Sequence, residues 1–249
     1  MDYQFFFGLK TSTDSIQVLY SEIKSWLEKK EKSRIITFLN PHVYNYAQKN
    51  PVVKDIISHS DMVSIDGVGI KLFLLFRYLK SYPRTIMTHL FDKVVFSDDI
   101  PSCNGILIGT TKKLVKRASF KINKQSHGLK IIRSINGFEK LEHYNEVISS
   151  TKNIDFVFIG MGTPRSEQLI QSLSQLKLNV ILWHIGGGTI KCYANTKRRS
   201  PEWLSDIGFE WMHRIIFEPF LMKRYILGIP VFFWNLLKYS LVRKFTKRW

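Results

Sequence analysis

The chain has 249 residues, 45% of them apolar, which is enough to bury a substantial core and excludes a disordered chain. Its formal net charge of +17 indicates an anionic partner, namely phosphates, a membrane or nucleic acid. The two cysteines, Cys103 and Cys192, belong to no metal-type cluster, so a reduced, cytosolic setting is expected. The first ten residues lack the regions of a signal peptide, and secretion is not expected.

Short β-type runs alternate with longer helical patterns through roughly the first 190 residues, which predicts an α/β fold with a mainly parallel sheet. A stripe of apolar residues predicts a helix over Asp14–Lys30, and Asn40-Pro41 and Asn50-Pro51 predict two further helix starts. The predicted strands are Gln4–Phe7, Arg34–Leu39, Met62–Ile65, Gly105–Ile108, Leu129–Ser134, Asp155–Ile159 and Asn179–Trp183.

An aspartate follows the predicted strand Met62–Ile65, and two glycines follow it, at Gly67 and Gly69. Open parallel sheets bind ligands beyond the carboxyl ends of their strands, so Asp66 is a candidate general base or sugar-hydroxyl ligand. A turn-forming Asp-Gly pair or a helix cap explains the same residues, and spacing alone slightly favours that interpretation. The glycines do not complete the GxGxxG pattern of a dinucleotide site.

The segment Gly160–Gln168, GMGTPRSEQ, follows the apolar strand Asp155–Ile159 and precedes a helical pattern. Pro164 suits the first turn of that helix, whose amides and positive dipole end could receive a nucleotide diphosphate. Arg165 could reinforce such binding. A plain strand-to-helix turn with solvated charges explains this segment equally well.

Single residues near other strand ends are ambiguous. Gly186–Gly188 permits either a close backbone approach to a ligand or a flexible connection. His184 is interpreted as a core or sheet-end histidine, since no ligand partners stand at metal-site spacing. Asn40 either points its amide into the crevice or caps a helix, and Arg84 is either a phosphate contact or a solvated surface charge.

The C-terminal part combines aromatic, basic and apolar residues. Between Arg214 and Trp249 eight Lys or Arg residues stand against one acid, Glu218. Such a segment can lie on a negatively charged membrane surface. The apolar run Tyr225–Trp234 is too short to span a bilayer, so peripheral attachment is expected. We place a domain boundary near Asn195, with a catalytic domain over residues 1–195 and an appendage over residues 196–249.

Four motifs occur in a fixed order along the chain. They are TFLNP at Thr37–Pro41, SIDGVGI at Ser64–Ile70, FIGMGTPRSEQ at Phe158–Gln168, and a C-terminal group RSPEW, GFEWMHR, EP and KRY within Arg199–Tyr225. Together they resemble the WecG/TagA/CpsF family of bacterial glycosyltransferases. The resemblance implies a Rossmann-like domain without a required metal or other cofactor. It also implies inverting transfer of a sugar, often an N-acetylhexosamine, from a UDP-sugar to a polyprenyl-diphosphate-linked sugar in cell-surface polysaccharide synthesis.

The resemblance also implies roles for residues at matching positions. Asp66 would be the general base that activates the acceptor hydroxyl. The donor pocket would include Asn40, Gly160, Gly162, Thr163 and Glu167. Arg84, Arg214 and Arg224 would neutralise diphosphate charge in place of a metal. Ser166, Lys191 and Leu221 depart from the usual family pattern.

A protein of this kind would be cytoplasmic and peripheral on the inner face of the cell membrane. Its oligomeric state stays open, with a homo-oligomer among the options. A basic nucleic-acid-binding protein is the alternative from another class, although most aromatic residues follow the apolar tail pattern and form no base-binding platform. In a third interpretation the tail docks on a partner protein, and in a fourth it folds back onto the core.

Overall fold

The computed structural model describes residues 1–80, 82–83, 85–176, 178–197, 200–201, 204, 210–219 and 222–246. The strands are β1 (Tyr3–Phe6), β2 (Leu9–Ser12), β3 (Arg34–Leu39), β4 (Met62–Ile65), β5 (Cys103–Gly109), β6 (Leu129–Ile135), β7 (Phe156–Gly160) and β8 (Ile181–His184). The helices are α1 (Ile16–Lys29), α2 (Pro41–Ala47), α3 (Pro51–His59), α4 (Val68–Tyr78), α5 (Met87–Val95), α6 (Lys112–Gln125), α7 (Leu141–Ser150), α8 (Arg165–Ser174), α9 (Gly187–Tyr193), α10 (Glu210–Phe217) and α11 (Met222–Thr246).

Six parallel strands form the central sheet in the order β4-β3-β8-β7-β5-β6, which confirms the predicted α/β class. All five residues of β7 and all four of β8 are buried, as expected for parallel strands covered on both faces. Phe158 and Trp183 pack into one hydrophobic cluster, whereas their neighbours Val157 and Leu182 pack into a second one. Alternate side chains thus supply the two layers of the core.

The first predicted strand lies outside this sheet. It covers Tyr3–Phe6 and pairs antiparallel with Leu9–Ser12, a strand that the sequence analysis missed. Phe7 and Gly8 both have positive φ angles, 47° and 82°, as a two-residue type I′ hairpin turn requires. The hairpin contacts the sheet edge, where Ser12 Oγ accepts a hydrogen bond from Val63 N at 3.0 Å.

Helices α2 and α3, which follow strand β3 in the chain, begin after the predicted capping asparagines. Asn40 Oδ1 accepts from Val43 N at 2.9 Å, and Asn50 Oδ1 accepts from Val52 N at 3.0 Å. A proline occupies the first turn of α2 and of α3, where no backbone donor is needed. The end of β3 is thereby joined directly to α2, which fixes the position of Asn40.

Part of the C-terminal segment folds back onto the rest of the protein. Helix α11 runs continuously from Met222 to Thr246 and contains Pro230. It packs on α2, where Asn45 Nδ2 donates to Gly228 O at 2.8 Å and Phe232 is only 1% exposed. None of the helices in the described ranges is both long and apolar enough to cross a bilayer.

Candidate active site

A cleft of about 160 Å³ opens at the carboxyl ends of β3, β4, β7 and β8. Ligands of open parallel sheets bind at this edge, because the loops that follow the strands converge there. The polar side chains that line the cleft are those of Asn40, His42, Asp66, Thr88, Thr163, His184 and Thr189. Phe38, Val43, Ile86, Met87 and Ile185 supply its apolar walls.

A larger groove of about 460 Å³ lies at the opposite side of the sheet, beside the amino ends of β5, β7 and β8. Its charged groups are already paired, since Lys30 Nζ lies 2.6 Å from Asp155 Oδ1 and Asn104 N donates to Asp155 Oδ2 at 2.8 Å. The cleft at the carboxyl edge brings together residues from three of the sequence motifs, and we therefore take the cleft as the candidate active site.

Asp66 reaches the cleft from the end of β4. Its backbone N donates to Leu39 O at 3.0 Å, which ties the residue to the neighbouring strand β3. Gly67 follows with φ of 157°, and a Cβ atom there would lie 3.1 Å from Pro41 Cδ. Both the backbone angle and the close approach to α2 favour glycine. The Asp-Gly pair therefore forms a constrained turn and also directs Asp66 to the cleft wall.

Asn40 lines the cleft next to this turn. Its Oδ1 is engaged in capping α2, so both of the roles considered from the sequence apply to one side chain. The amide Nδ2 is the donor that remains after capping.

The Gly160–Thr163 turn supplies the opposite wall. Gly162 has φ of 84°, and no heavy atom lies within 4 Å of the position that a Cβ would take. Gly160, in contrast, would place a Cβ 2.5 Å from Ile190 Cδ1, so α9 packs directly against it. Gly162 and Thr163 line the cleft, whereas the glycine at 160 is explained by helix packing.

Arg165 is directed away from this turn. Its Nη2 donates to Glu139 O at 3.0 Å, which connects the start of α8 to the loop before α7.

Glu167 and His184 form a buried pair beside Thr163, and each is about 1% exposed. Thr163 Oγ1 donates to Glu167 Oε1 at 2.8 Å, and His184 Nδ1 lies 3.3 Å from the same oxygen. Burial raises the pKa of Glu167, but the neighbouring His184 and the hydrogen bonds to the carboxylate outweigh it and lower the pKa overall. The carboxylate is therefore ionised at neutral pH. Glu167 thus contacts two residues of the cleft wall, Thr163 through a hydrogen bond and His184 through the 3.3 Å approach.

Three predicted cationic contacts fall outside what the structure describes. Arg84 lies outside the described residues, and Arg214 and Arg224 lie on α10 and α11 with side chains outside the description. One cation that the sequence analysis did not single out is placed at the cleft. Lys197 Nζ lies 3.1 Å from the Cβ position of Gly188 and 3.3 Å from Glu218 Oε2. Lys197 thus connects the first turn of α9 to Glu218, the residue after α10.

His184 was the other site residue that sequence reasoning missed. The prediction of a sheet-end histidine is confirmed, since His184 ends β8, but its place in the cleft wall was not foreseen. Its position two residues before the glycine run Gly186–Gly188 was the available signal. Within the described part of the chain, no cluster of three or more His, Cys, Asp or Glu side chains has the arrangement of a metal site.

Comparison with known proteins gives a consistent family. The model of the glycosyl transferase WecG/TagA/CpsF family matches residues 5–246. The chain is 30% identical to the UDP-Gal:alpha-D-GlcNAc-diphosphoundecaprenol beta-1,4-galactosyltransferase of Shigella boydii, over 91% of this chain and 95% of the relative. It is 24% identical to the N-acetylglucosaminyldiphosphoundecaprenol N-acetyl-beta-D-mannosaminyltransferase of Bacillus subtilis (strain 168), over 90% of each chain. The Staphylococcus aureus (strain NCTC 8325) protein of the same description is 21% identical, over 93% of this chain and 91% of its own.

Proposed function

Because the chain belongs to the WecG/TagA/CpsF family of glycosyltransferases, we propose that it transfers a hexose or N-acetylhexosamine from a UDP-sugar to a polyprenyl-diphosphate-linked sugar. The observation that supports this most is the convergence of Asn40, Asp66 and the Gly162–Thr163 turn on one cleft. The relatives named above carry N-acetylglucosaminyl-diphosphoundecaprenol in their descriptions. We propose an acceptor of the same class for this chain.

Asp66 is the proposed general base. Its carboxylate takes the proton of the acceptor hydroxyl while the hydroxyl oxygen forms a bond to the anomeric carbon of the donor. The bond from that carbon to the β-phosphate oxygen breaks, and UDP leaves with the electron pair. Attack opposite to the leaving group inverts the anomeric configuration. The constrained turn at Gly67 supports this role, because a general base acts only from a fixed position.

Leaving UDP carries charge that the site must neutralise. We propose that Arg84, Arg214 and Arg224 contact the diphosphates of donor and acceptor, since guanidinium groups bind phosphate in bidentate fashion. Lys197 is a fourth candidate, because its ammonium group already lies beside Gly188 at the cleft. Its present partner Glu218 holds it there and joins it to the C-terminal helices.

The C-terminal segment 196–249 is the proposed membrane-associating appendage. Helix α11 buries Phe232 but exposes large apolar side chains on its other side, with Leu227 65%, Phe233 61% and Trp234 66% exposed. An apolar surface of this kind next to basic residues suits the interface of an anionic membrane. The lipid-linked acceptor lies in that interface, so we place the protein on the cytoplasmic face of the cell membrane.

The test is transfer from labelled UDP-galactose, UDP-N-acetylglucosamine and UDP-N-acetylmannosamine to a short-chain prenyl-diphosphate-N-acetylglucosamine. We expect one disaccharide product whose formation requires the acceptor's diphosphate. Free N-acetylglucosamine and the prenyl monophosphate sugar serve as matched acceptors. Equal transfer to free N-acetylglucosamine would contradict the proposed acceptor class, and the absence of transfer from every UDP-sugar would contradict the proposed reaction.

A further inference from the structure

Two threonine hydroxyls meet in the wall of the cleft. Thr88 is the second residue of α5, and Thr189 lies in the first turn of α9. Both residues line the cleft, and their Oγ1 atoms lie 2.9 Å apart. A threonine hydroxyl has one proton and two acceptor lone pairs. The other partners of the two hydroxyls therefore decide which of them donates in this contact.

The proton of Thr189 is committed to the backbone. Its Oγ1 donates to the carbonyl oxygen of Ile185 at 2.7 Å, and the residue is only 2% exposed. Threonine side chains in helices commonly form such bonds to the carbonyl four residues earlier. A carbonyl oxygen can only accept, so this bond uses the one proton that Thr189 has. The proton in the 2.9 Å contact is therefore that of Thr88.

Thr88 is left with acceptor capacity only. Its side chain is partly exposed and lines the cleft, so a ligand can reach it. Within the described part of the chain, its bond to Thr189 is the one hydrogen bond that its hydroxyl makes. The lone pairs of Oγ1 remain for a ligand, and a group that binds to them has to donate.

Thr163, on the loop before α8, has its proton directed in the same way. Its Oγ1 donates to Glu167 Oε1 at 2.8 Å. The lowered pKa of Glu167 keeps that carboxylate ionised, so the carboxylate can only accept. Thr163 therefore also offers an acceptor to the cleft that it lines. Two hydroxyls from different elements thus favour the same kind of ligand group.

The groups of a UDP-sugar that can donate lie in its sugar rings and its base. The oxygens of its diphosphate carry no protons at neutral pH, so a diphosphate beside Thr88 would bring two acceptors together. The hydroxyls of the hexose and the ribose are donors, and so are N3–H of uracil and the N–H of an acetamido group. The contact with Thr88 thus suits one of these groups and excludes the diphosphate.

We propose that Thr88 is a specificity-determining residue whose Oγ1 accepts a hydrogen bond from an O–H or N–H group in the sugar rings or base of the nucleotide-sugar donor. In this proposal Thr189 is a positioning residue that directs the proton of Thr88 away from the ligand. The inference rests on the proposed function, because it takes the ligand to be a UDP-sugar.

Analogues that each lack one donating group test the proposal. Dissociation constants are measured by calorimetry for UDP, UDP-galactose and UDP-N-acetylglucosamine. The analogues are 2′-deoxy, 2′-fluoro, 3′-deoxy, 3′-fluoro and N3-methyl forms of UDP, monodeoxy and deoxyfluoro hexose forms of the two UDP-sugars, and an ester in place of the acetamido amide. In the wild type, removal of one group is expected to weaken binding about tenfold. Fluorine in place of a hydroxyl should not restore binding, because fluorine cannot donate.

Substitution of Thr88 connects the responding group to its hydroxyl. Thr88→Val keeps the shape of the side chain but removes Oγ1, so parent and analogue should bind equally. Thr88→Ser keeps the hydroxyl and should retain the tenfold difference. Thr111→Val is the matched control, because Thr111 is exposed and its side chain makes no capping hydrogen bond to α6. This control should also retain the difference.

The choice between hydroxyl and fluorine tests Thr189. Thr189→Val removes the acceptor of the Thr88 proton, so that proton can turn toward the ligand. The fluoro analogue should then regain affinity relative to the deoxy analogue, which a purely structural role would not cause. If the responding group is an N–H, the ester analogue or CDP, whose N3 only accepts, replaces the fluoro analogue. Thr189→Ser keeps the hydroxyl and should behave as the wild type.

Equal wild-type binding of every parent and analogue would overturn the proposal, and so would an undiminished difference in Thr88→Val or restored binding by fluorine in the wild type. If circular dichroism shows that Thr88→Val does not fold, Thr88→Ala removes the same hydroxyl with a residue that favours helix. The absence of binding by all three UDP compounds would also overturn it. Sugar transfer with equal binding of all analogues would contradict this inference alone, whereas the expected binding differences without transfer would contradict the proposed reaction alone.

Discussion

Two carboxylates near the cleft have different surroundings and hence different expected behaviour. Asp66 follows β4, is partly exposed and lines the cleft. Glu167 lies on α8, is 1% exposed and accepts the hydroxyl of Thr163. A catalytic base must reach the substrate, whereas a carboxylate enclosed by its own partners acts through them. Exposure and contacts thus distinguish Asp66, the proposed base, from Glu167, which supports Thr163.

We expect Glu167→Gln to lower the free energy of unfolding near neutral pH by about 1–3 kcal/mol, because it removes the charge that faces His184. The pKa of Glu167 in the folded protein lies below its ordinary value of 4.5. Its stabilising contribution is therefore complete above about pH 4.5 and is lost as the pH falls through the folded pKa. Urea unfolding near pH 7, 5 and 3 should show a difference from wild type that shrinks at the lowest pH. Glu146→Gln, an exposed change on α7, is the control, and a difference that is the same at every pH would contradict the assignment.

Helix α11 has two apolar sides, one buried against the core and one exposed. Phe232 stacks on Phe6 and contacts Tyr44, with ring centroids 6.1 Å and 5.5 Å apart, so it belongs to the core. Trp234 is 66% exposed two residues later. One helix therefore both completes the core and presents an apolar surface outward. The first property agrees with the fold-back interpretation of the tail, and the membrane interpretation of the exposed surface stays a prediction.

Substitution of these two aromatic residues should separate the two roles. We expect Phe232→Ala to cost about 3–5 kcal/mol in the free energy of unfolding because it leaves a cavity. Trp234→Ala should change stability by less than about 0.5 kcal/mol but weaken binding to anionic liposomes by about tenfold. Urea unfolding and liposome sedimentation measure the two effects. Phe120→Ala, which removes a 74% exposed ring on α6, is the control and should leave both unchanged. Full liposome binding by Trp234→Ala would favour a protein partner for this surface.

The net charge of +17 indicates an anionic partner for the molecule, and we expect a membrane. Binding to vesicles with anionic lipid should weaken as salt rises from about 0.05 to about 0.5 M, because ions screen the attraction. Vesicles of zwitterionic lipid should bind weakly. Duplex and single-stranded DNA should bind negligibly at about 0.15 M salt, whereas strong DNA binding with a steep salt dependence would favour the nucleic-acid interpretation.

The parts that could be predicted from the sequence are those with a local physical signal. The buried strand β7 is a continuous apolar run, and β3 is mostly apolar. Asn40 and Asn50 each combine a capping side chain with a following proline. The strand Leu9–Ser12 was missed because it is only four residues long and its single leucine is followed by a lysine and two hydroxyl residues, a composition that resembles a loop. Helix α11 contains a glycine and a proline, and tertiary contacts with α2 rather than local preference hold it.

The candidate site divides in the same way. Asp66 and the Gly162–Thr163 turn follow predicted strands and could be placed at the sheet edge from topology alone. The pairing of Glu167 with His184 joins residues from α8 and β8, and that of Lys197 with Glu218 joins two loops. Such contacts depend on the packing of separate elements, which no local pattern encodes.

The role of Asp66 as the general base is tested most directly by the transfer rate of Asp66→Asn. This change removes the proton acceptor but keeps the size of the side chain and the backbone hydrogen bond to Leu39 O. Asp98→Asn, at a side chain that is 86% exposed, is the matched control and should transfer at the wild-type rate. We predict that kcat of Asp66→Asn falls about 100-fold or more while the dissociation constant of the UDP-sugar stays near that of wild type. Undiminished turnover in Asp66→Asn would contradict the proposed mechanism.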